Sequence, residues 1–203
     1  MSAIIITPAF SHARHELHRA VQLSGLPWLP EYEHSDLPRV RSILIEEALR
    51  HGAERVLFVD ADTIPLPADL CRLAEGDDVT PERAVWGLYP LREGDRWSVC
   101  PEEPEQAEQS IARGQQFRIL TGGLGVCAVH RESLERAVAH SPTLEESSGL
   151  TWRPFCVPFL LGGKYYADDG SLCLRLRTSG TALWCDPLIR AAHAVTRLVR
   201  DIG

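Results

Sequence analysis

The chain has 203 residues, of which 44% are hydrophobic, and this is enough apolar material for one domain with a full core. Its formal net charge of −7 argues against a broad electrostatic surface for nucleic acid, but it leaves a local basic groove open. No apolar run approaches the ~20 residues that span a bilayer. The first residues lack the basic and long apolar regions of a signal peptide, and the six cysteines contain no CxxC pair. We therefore expect a cytoplasmic protein with reduced cysteines that are mostly buried.

Apolar periodicity predicts strands that alternate with helices along the chain. Residues 3–7 and 56–59 are short β-branched or aromatic runs that predict buried strands. Residues 35–38 combine a capping side chain with a proline in the first turn, which predicts a helix start. Further strands are predicted at 84–89, 117–120, 126–129 and 181–185, and helices at 67–74, 131–140 and 171–178. This alternation predicts one α/β/α sandwich over residues 1–203 with a mostly parallel central sheet.

Two stretches do not fit the alternation, and both are expected to be variable loops. Residues 91–117 include an acidic run broken by Pro101 and Pro104, which predicts an exposed loop. Residues 141–161 are irregular, and we interpret their aromatic side chains as a flexible lid or a substrate wall. These aromatic residues are Trp152, Phe155 and Phe159.

Two carboxylates follow the predicted strand at 56–59 directly. Asp60 and Asp62 would lie at the carboxyl end of that strand, where open α/β sheets bind their ligands. Oxygen donors at such an edge suit a divalent cation and a phosphate-bearing ligand. The bland alternative is that Asp60 caps the following turn and that Asp62 is merely solvated.

A second carboxylate pair and a histidine follow later in the chain. Asp168 and Asp169 precede a predicted helix, whose N-terminus stabilises a carboxylate by about 0.3–1 kcal/mol. Asp186-Pro187 is expected to end the last strand and to open a tail that carries His193. Taken singly, the pair also fits a helix cap, and the histidine fits a structural role.

The order and spacing of these three features resemble the GT-A nucleotide-sugar glycosyltransferases over most of the chain, from Ile4 to about His193. Residues 37–42 resemble the "RN" segment that precedes the Asp-x-Asp strand, with Arg41 matching and Ser42 departing from Asn. Residues 168–175 resemble the "EDxxLxxR" motif, with Asp168 in place of Glu. Two further stretches resemble the strand and turn after the Asp-x-Asp motif and the glycine-rich acceptor-side turn. They are residues 85–92 and residues 122–125.

The resemblance implies a GT-A fold and a metal-dependent donor site. A divalent ion would neutralise the leaving pyrophosphate, and a mixed oxygen and imidazole set suits Mn²⁺ or Mg²⁺. Asp62 is the expected direct ligand and His193 the second, with Asp60 nearer the ribose or the waters of the metal. The donor, a UDP- or GDP-sugar, is expected to contact Arg41 and the loop after the first strand. The expected donor-binding residues are Thr7, Pro8, Phe10, Arg41, Asp60, Ala61, Asp62 and Gly123.

The resemblance also implies how the acceptor hydroxyl loses its proton. Asp169 fits the general base if the reaction inverts the anomeric centre, and Asp168 would then bind an acceptor or sugar hydroxyl. If the reaction retains configuration, neither role follows. The shortening from Glu to Asp makes the contact of Asp168 the less certain one.

Two other functions stay open at this point. A nucleotidyltransferase would also use carboxylates and Mg²⁺ on an α/β sheet, but residues 7–11 are not a glycine-rich basic phosphate loop. A non-catalytic domain would bind a nucleotide sugar without turnover. The acceptor is open among a small molecule, a glycan, a protein and a modified phage DNA base. The DNA option needs a positive surface, to which Arg39, Arg41, Arg92, Arg96 and Arg113 would contribute.

Overall fold

A computed structural model describes residues 3–9, 13–31, 36–91 and 96–194. Six helices lie in this part of the chain: α1 (His15–Ser24), α2 (Leu37–Arg50), α3 (Pro67–Glu75), α4 (Pro104–Arg113), α5 (Arg131–Ala137) and α6 (Asp168–Thr178). The strands of its large sheet are β1 (Ala3–Pro8), β2 (Trp28–Glu31), β3 (Arg55–Val59), β4 (Thr63–Pro65), β5 (Arg83–Leu88), β6 (Val99–Pro101), β7 (Phe117–Gly122), β8 (Val126–His130) and β13 (Ala182–His193). Two small hairpins use β9 (Leu144–Glu145), β10 (Thr151–Trp152), β11 (Phe159–Leu161) and β12 (Lys164–Tyr166).

The large sheet has the strand order β2-β1-β3-β8-β5-β13-β7-β6, and β4 pairs with β13. Strand β1 is parallel to β2 and β3, and β5 is parallel to β13. Strand β8 lies between β3 and β5 and is antiparallel to both, so β3 and β5 point the same way. The predicted α/β class with a mostly parallel core is therefore confirmed, with β8 as an antiparallel insertion.

Alternate residues of the central strands face two apolar cores, one on each side of the sheet. Val56 and Phe58 of β3 enter the core covered by α2, α5 and α6, whereas Leu57 and Val59 enter the core covered by α1 and α3. This alternation follows from the two-residue period of a strand. Since both faces are covered, ligands reach the sheet at its edges and strand ends.

The helix start at residues 35–38 is confirmed within the described part of the chain. The carboxylate of Asp36 accepts a hydrogen bond from the backbone N–H of Arg39, at 3.2 Å, and Pro38 lies in the first turn of α2. A cap of this kind satisfies one of the backbone donors that a helix N-terminus leaves unpaired. Helix α2 thereby starts at a defined residue, which fixes where its later residues meet the sheet.

The exposed loop predicted at Pro101 and Pro104 is wrong in its second half. Pro104 is the first residue of α4, a position that proline favours because its missing N–H would be unpaired there anyway. Ala107 of this helix is buried against the sheet. Residues 91–117 thus contain a helix and strand β6 in addition to irregular chain.

Two of the three aromatic residues that we interpreted as a flexible lid or a substrate wall are packed into the protein, and the third, Phe159, is half-buried. Phe155 is fully buried and Trp152 nearly so, and the indole N–H of Trp152 donates to Glu146 at 3.0 Å. Glu146 in turn binds Arg39 of α2 through two hydrogen bonds of 2.6 and 2.7 Å. The segment is therefore fastened to helix α2 by packing and by an ion pair.

The prediction that the last strand ends at Asp186-Pro187 is also wrong, since β13 continues through these residues to His193. The register of β13 against β5 shifts between Asp186 and Arg190, and a bulge of this kind accommodates a proline within a strand.

All six cysteines are free, and four of them are buried. None of the described helices is long and apolar enough to cross a membrane.

Candidate active site

Several of the described residues that the sequence singled out lie at one edge of the sheet. Strands β1, β3, β5 and β13 point the same way, so their carboxyl ends meet there. Asp60 follows β3, Tyr89 follows β5, and His193 is the last residue of β13. The antiparallel β8 begins at the same edge, and the N–H of Asp60 donates to the carbonyl oxygen of Gly125 just before it, at 3.2 Å.

Asp62 and His193 meet because β4 pairs with the end of β13. His193 lies opposite Thr63 in this pairing, and the N–H of Ala194 donates to the carbonyl oxygen of Asp62 at 2.8 Å. Nε2 of His193 is 3.2 Å from the Asp62 carboxylate. Strand pairing thus places the two residues next to each other although 131 positions separate them in sequence.

The hydrogen bond of the second ring nitrogen of His193 determines the tautomer of the ring. Nδ1 is 3.0 Å from the carbonyl oxygen of Pro90, which can only accept, so Nδ1 carries the proton. In the neutral ring, Nε2 therefore presents its lone pair to the Asp62 carboxylate. Two acceptors facing each other require either a second ring proton or a cation between them. The Tyr89 ring packs edge-on against His193, at 5.8 Å between centroids, and holds its orientation.

Arg41 contacts the other three carboxylates of the site. It lies in the first half of α2 and is only 5% exposed. One terminal nitrogen, Nη2, is 2.6 Å from Asp60, and the other, Nη1, binds Asp168 and is 3.0 Å from Asp169. Arg41 was predicted to reach the nucleotide base or a phosphate, but its terminal nitrogens bind three carboxylates instead.

Asp169 is a carboxylate whose pKa is shifted towards neutrality. The pKa of Asp169 is raised to about 7, chiefly by burial and in part by the nearby carboxylates of Asp168 and Asp60. Arg41 and a hydrogen bond from the backbone N–H of Leu124 oppose this rise in pKa. The Asp169 side chain is 37% exposed, so a ligand can reach it. Asp169 is thus a carboxyl group that can exchange a proton near pH 7.

Gly123 and Gly125 allow the Tyr89 hydroxyl to enter the site. That hydroxyl accepts a hydrogen bond from the N–H of Gly125 at 3.0 Å. A Cβ at position 125 would stand 2.6 Å from the Tyr89 hydroxyl and 2.8 Å from the Thr63 hydroxyl. A Cβ at position 123 would also collide with Tyr89 and would lie 3.6 Å from Asp169. Gly123, which lies in the turn that was predicted on the acceptor side, is thus a neighbour of Asp169.

The residues predicted on the donor side differ in how accessible their side chains are. The hydroxyl of Thr7 is buried and accepts from the Trp28 indole at 2.9 Å, and Pro8 is buried beside it. Phe10 lies outside the described residues. The carbonyl oxygen of Ala61 accepts from the N–H of Arg14 at 3.2 Å. The side chain of Thr7 is therefore buried and already hydrogen-bonded within the protein.

Among the described residues there is no group of three His, Cys, Asp or Glu side chains that could hold a metal ion. Asp60, which was predicted near the metal, is instead paired with Arg41. Of the three predicted ligands, Asp62 and His193 lie side by side.

The sequence reading missed two contributors to this site. Tyr89 seats its ring against His193, and the carbonyl oxygen of Pro90 fixes the proton on that histidine. Both residues follow β5 directly, so the rule that ligands bind at carboxyl strand ends could have found them. The N–H of Leu124 gave no such signal, because backbone donors are invisible in a sequence pattern.

Comparison with known proteins reveals similarity in structure. No protein-family model and no curated protein sequence matches the chain. A197 from STIV superposes with a TM-score of 0.63 at 16% identity, over 96% of this chain and 86% of that one. GalNAc-T7, solved with UDP, GalNAc and Mn²⁺, gives a TM-score of 0.57 at 12% identity, over 96% of this chain and 44% of that one. These likenesses show the fold, a GT-A-like α/β arrangement.

Proposed function

We propose that the chain is a metal-dependent glycosyltransferase that moves a sugar from a nucleoside-diphosphate sugar to an acceptor hydroxyl. The observation that carries the proposal is the pairing of Asp62 with His193 at the sheet edge that also holds Asp169. The GT-A-like fold supports it, as does the binding of UDP and Mn²⁺ by the similar structure of GalNAc-T7.

The chemistry of the Asp62–His193 pair fits a divalent cation. Neighbouring ligands of an octahedral ion with bonds of about 2.1 Å are roughly 3 Å apart, close to the 3.2 Å between Nε2 and the carboxylate. Two protein ligands suffice for Mg²⁺ or Mn²⁺ when phosphates and waters complete the shell. When bound, the ion supplies the positive charge that a leaving pyrophosphate needs.

The roles of the protein's own groups follow from their positions. His193 is held by the Pro90 carbonyl, so its Nε2 stays directed at Asp62. Asp169, with a pKa of about 7, takes the proton of the acceptor hydroxyl in an inverting reaction. Asp168 is less exposed than Asp169 and is bound to Arg41, so it contributes to the acceptor side mainly through that pair.

The donor is a UDP- or GDP-sugar in this proposal, held at the ends of β1 and β3. Asp60 keeps a quarter of its side chain exposed beside Asp62 and is the polar group offered to the nucleotide side. The free and mostly buried cysteines support the reducing, cytoplasmic location that the sequence suggests.

The direct test is turnover of a panel of UDP-, GDP-, ADP- and CMP-sugars with Mn²⁺ and a mixture of hydroxyl acceptors. Free nucleotide and pyrophosphate are measured separately by chromatography. We expect release of UDP or GDP that chelation of divalent ions abolishes. Asp62→Asn should lower the rate at least about tenfold, because it weakens one of two protein ligands. Asp77→Asn, at the opposite edge of the sheet, is the matched control and should keep the wild-type rate.

Three outcomes would contradict the proposal. Pyrophosphate as the product would indicate a nucleotidyltransferase. Full activity after exhaustive chelation would refute the metal. A cognate nucleotide sugar at 100 times its Kd should stabilise the fold by about 2.7 kcal/mol. Such stabilisation without any turnover would indicate a non-catalytic binding domain.

A further inference from the structure

Arg41 is a buried cation in contact with three carboxylates of the candidate site. Its guanidinium is buried, and its terminal nitrogens bind Asp60, Asp168 and Asp169. Its Nε is also buried and has no hydrogen-bond partner among the described residues. A buried arginine with an unpaired donor costs free energy, which its contacts with the three carboxylates offset.

The three carboxylates belong to parts of the site with different tasks. Asp60 follows β3 and is two residues from Asp62, on the donor side. Asp168 and Asp169 open α6, on the acceptor side. Arg41 stands between them on α2 and contacts the two sides with the two terminal nitrogens of one rigid planar group. Guanidinium geometry therefore fixes the distance between the donor-side and acceptor-side carboxylates.

We infer that Arg41 is a positioning residue that joins Asp60, Asp168 and Asp169 into one unit, and that it sets the protonation and the placement of the proton acceptor. This inference rests on the proposed function for its catalytic part. It assigns Arg41 no contact with the nucleotide, in contrast to the expectation from the sequence.

The surroundings of Asp169 leave Arg41 as the cation that acts on it most strongly. Burial of the carboxyl and two neighbouring carboxylates oppose its ionisation, whereas Arg41 and the Leu124 N–H favour it. Of these opposing influences, only Arg41 carries a full positive charge. The other titratable groups that interact with Asp169 are Tyr89 after β5, Cys127 of β8, Cys156 before β11 and Cys173 of α6.

Removal of the guanidinium should therefore have a consequence that depends on pH. Without Arg41 the three carboxylates lose the cation between them, and the pKa of Asp169 in the folded protein rises further above its value in the unfolded chain, because burial and the neighbouring carboxylates then act without that opposing charge. The folded state then binds protons more tightly than the unfolded state, so stability is retained at low pH and lost as pH rises.

The experiment compares Arg41→Gln and Arg41→Lys with the wild type and with the control Arg39→Gln. Arg39 lies on the same helix and binds one carboxylate, Glu146, outside the site. Melting temperatures are measured at pH 5 and pH 8, and kcat/KM is measured across the same range. Arg41→Lys keeps the charge without the planar fork, and it serves as the second variant if Arg41→Gln does not fold at pH 8.

We expect Arg41→Gln to lose more melting temperature at pH 8 than at pH 5, and Arg39→Gln to lose similar amounts at both. In Arg41→Gln the rising limb of the plot of kcat/KM against pH should move to higher pH by at least one unit. The ionised fraction of Asp169 at pH 7, and with it the rate, then falls about fivefold. Arg41→Lys should keep the limb nearer to its wild-type position but lower kcat through misplacement, with little change in the donor KM.

Each result bears on one part of the inference. Equal losses of melting temperature at the two pH values for both Arg41 variants would overturn the joining of the carboxylates. An unmoved limb, or a loss confined to the donor KM, would overturn the role of Arg41 in positioning Asp169. A wild type without any turnover would overturn the proposed function instead, and the melting comparison would still decide whether Arg41 holds the three carboxylates.

Discussion

The pH dependence of the reaction follows from the environment of Asp169. Its pKa of about 7 lies well above the ordinary value of 3.8, chiefly because of burial. About nine tenths of the group is ionised at pH 8 and about one tenth at pH 6. Only the ionised form accepts a proton, so kcat/KM should fall about tenfold between pH 8 and pH 6. Initial rates at low donor concentration and saturating Mn²⁺ measure this directly.

A stability measurement checks the same shift without any substrate. The folded pKa of Asp169 is raised, so its contribution to stability is fully present below its unfolded pKa and is lost as pH rises through about 7. Asp169→Asn carries no such charge, so its melting temperature relative to the wild type should rise between pH 5 and pH 8, while its transferase activity disappears. A wild-type rate limb with a midpoint near 4, or full activity of Asp169→Asn, would refute the assignment of this residue as the base.

Three further predictions concern the packing that supports the site. Gly125→Ala should lower the free energy of unfolding in urea by about 1–3 kcal/mol, because its Cβ would stand 2.6 Å from Tyr89. In the control Gly170→Ala the nearest atom is 3.7 Å from the new Cβ, so stability should be kept or raised. Equal losses in the two variants would contradict this. Asp36→Ala should cost about 1 kcal/mol through loss of the α2 cap, and no loss would exclude that cap as a stabilising contact. A thiol reagent should label exposed Cys100 in the native state and the buried cysteines only on unfolding, and rapid native labelling of the latter would contradict the packing. The buried cysteines are Cys127, Cys156, Cys173 and Cys185.

The sequence was informative wherever local pattern decides the structure. The apolar run before Asp60 predicted a buried strand, and the structure has β3 at that place. The cap at Asp36 predicted the start of α2 because its hydrogen bond is made within four residues. The alternation of strands and helices predicted the α/β class, since each element must bury one face against the next.

The parts that could not be predicted depend on contacts distant in sequence. A proline after Asp186 indicated the end of a strand, whereas the neighbouring strands β4 and β5 stabilise its continuation through a bulge to His193. Whether Arg41 faces a ligand or the protein depends on where α2 meets α6, 127 residues later. The resemblance to a family drew attention to this arginine, but a motif does not specify which carboxylates lie within its reach.

The location of a bound metal tests the central claim most directly. Crystals grown with Mn²⁺ and UDP or GDP should give an anomalous difference peak at the manganese edge between the Asp62 carboxylate and Nε2 of His193, within about 2.3 Å of both, with the diphosphate on its open side. A manganese ion bound elsewhere, or a nucleotide bound away from the carboxyl ends of β1 and β3, would contradict the account.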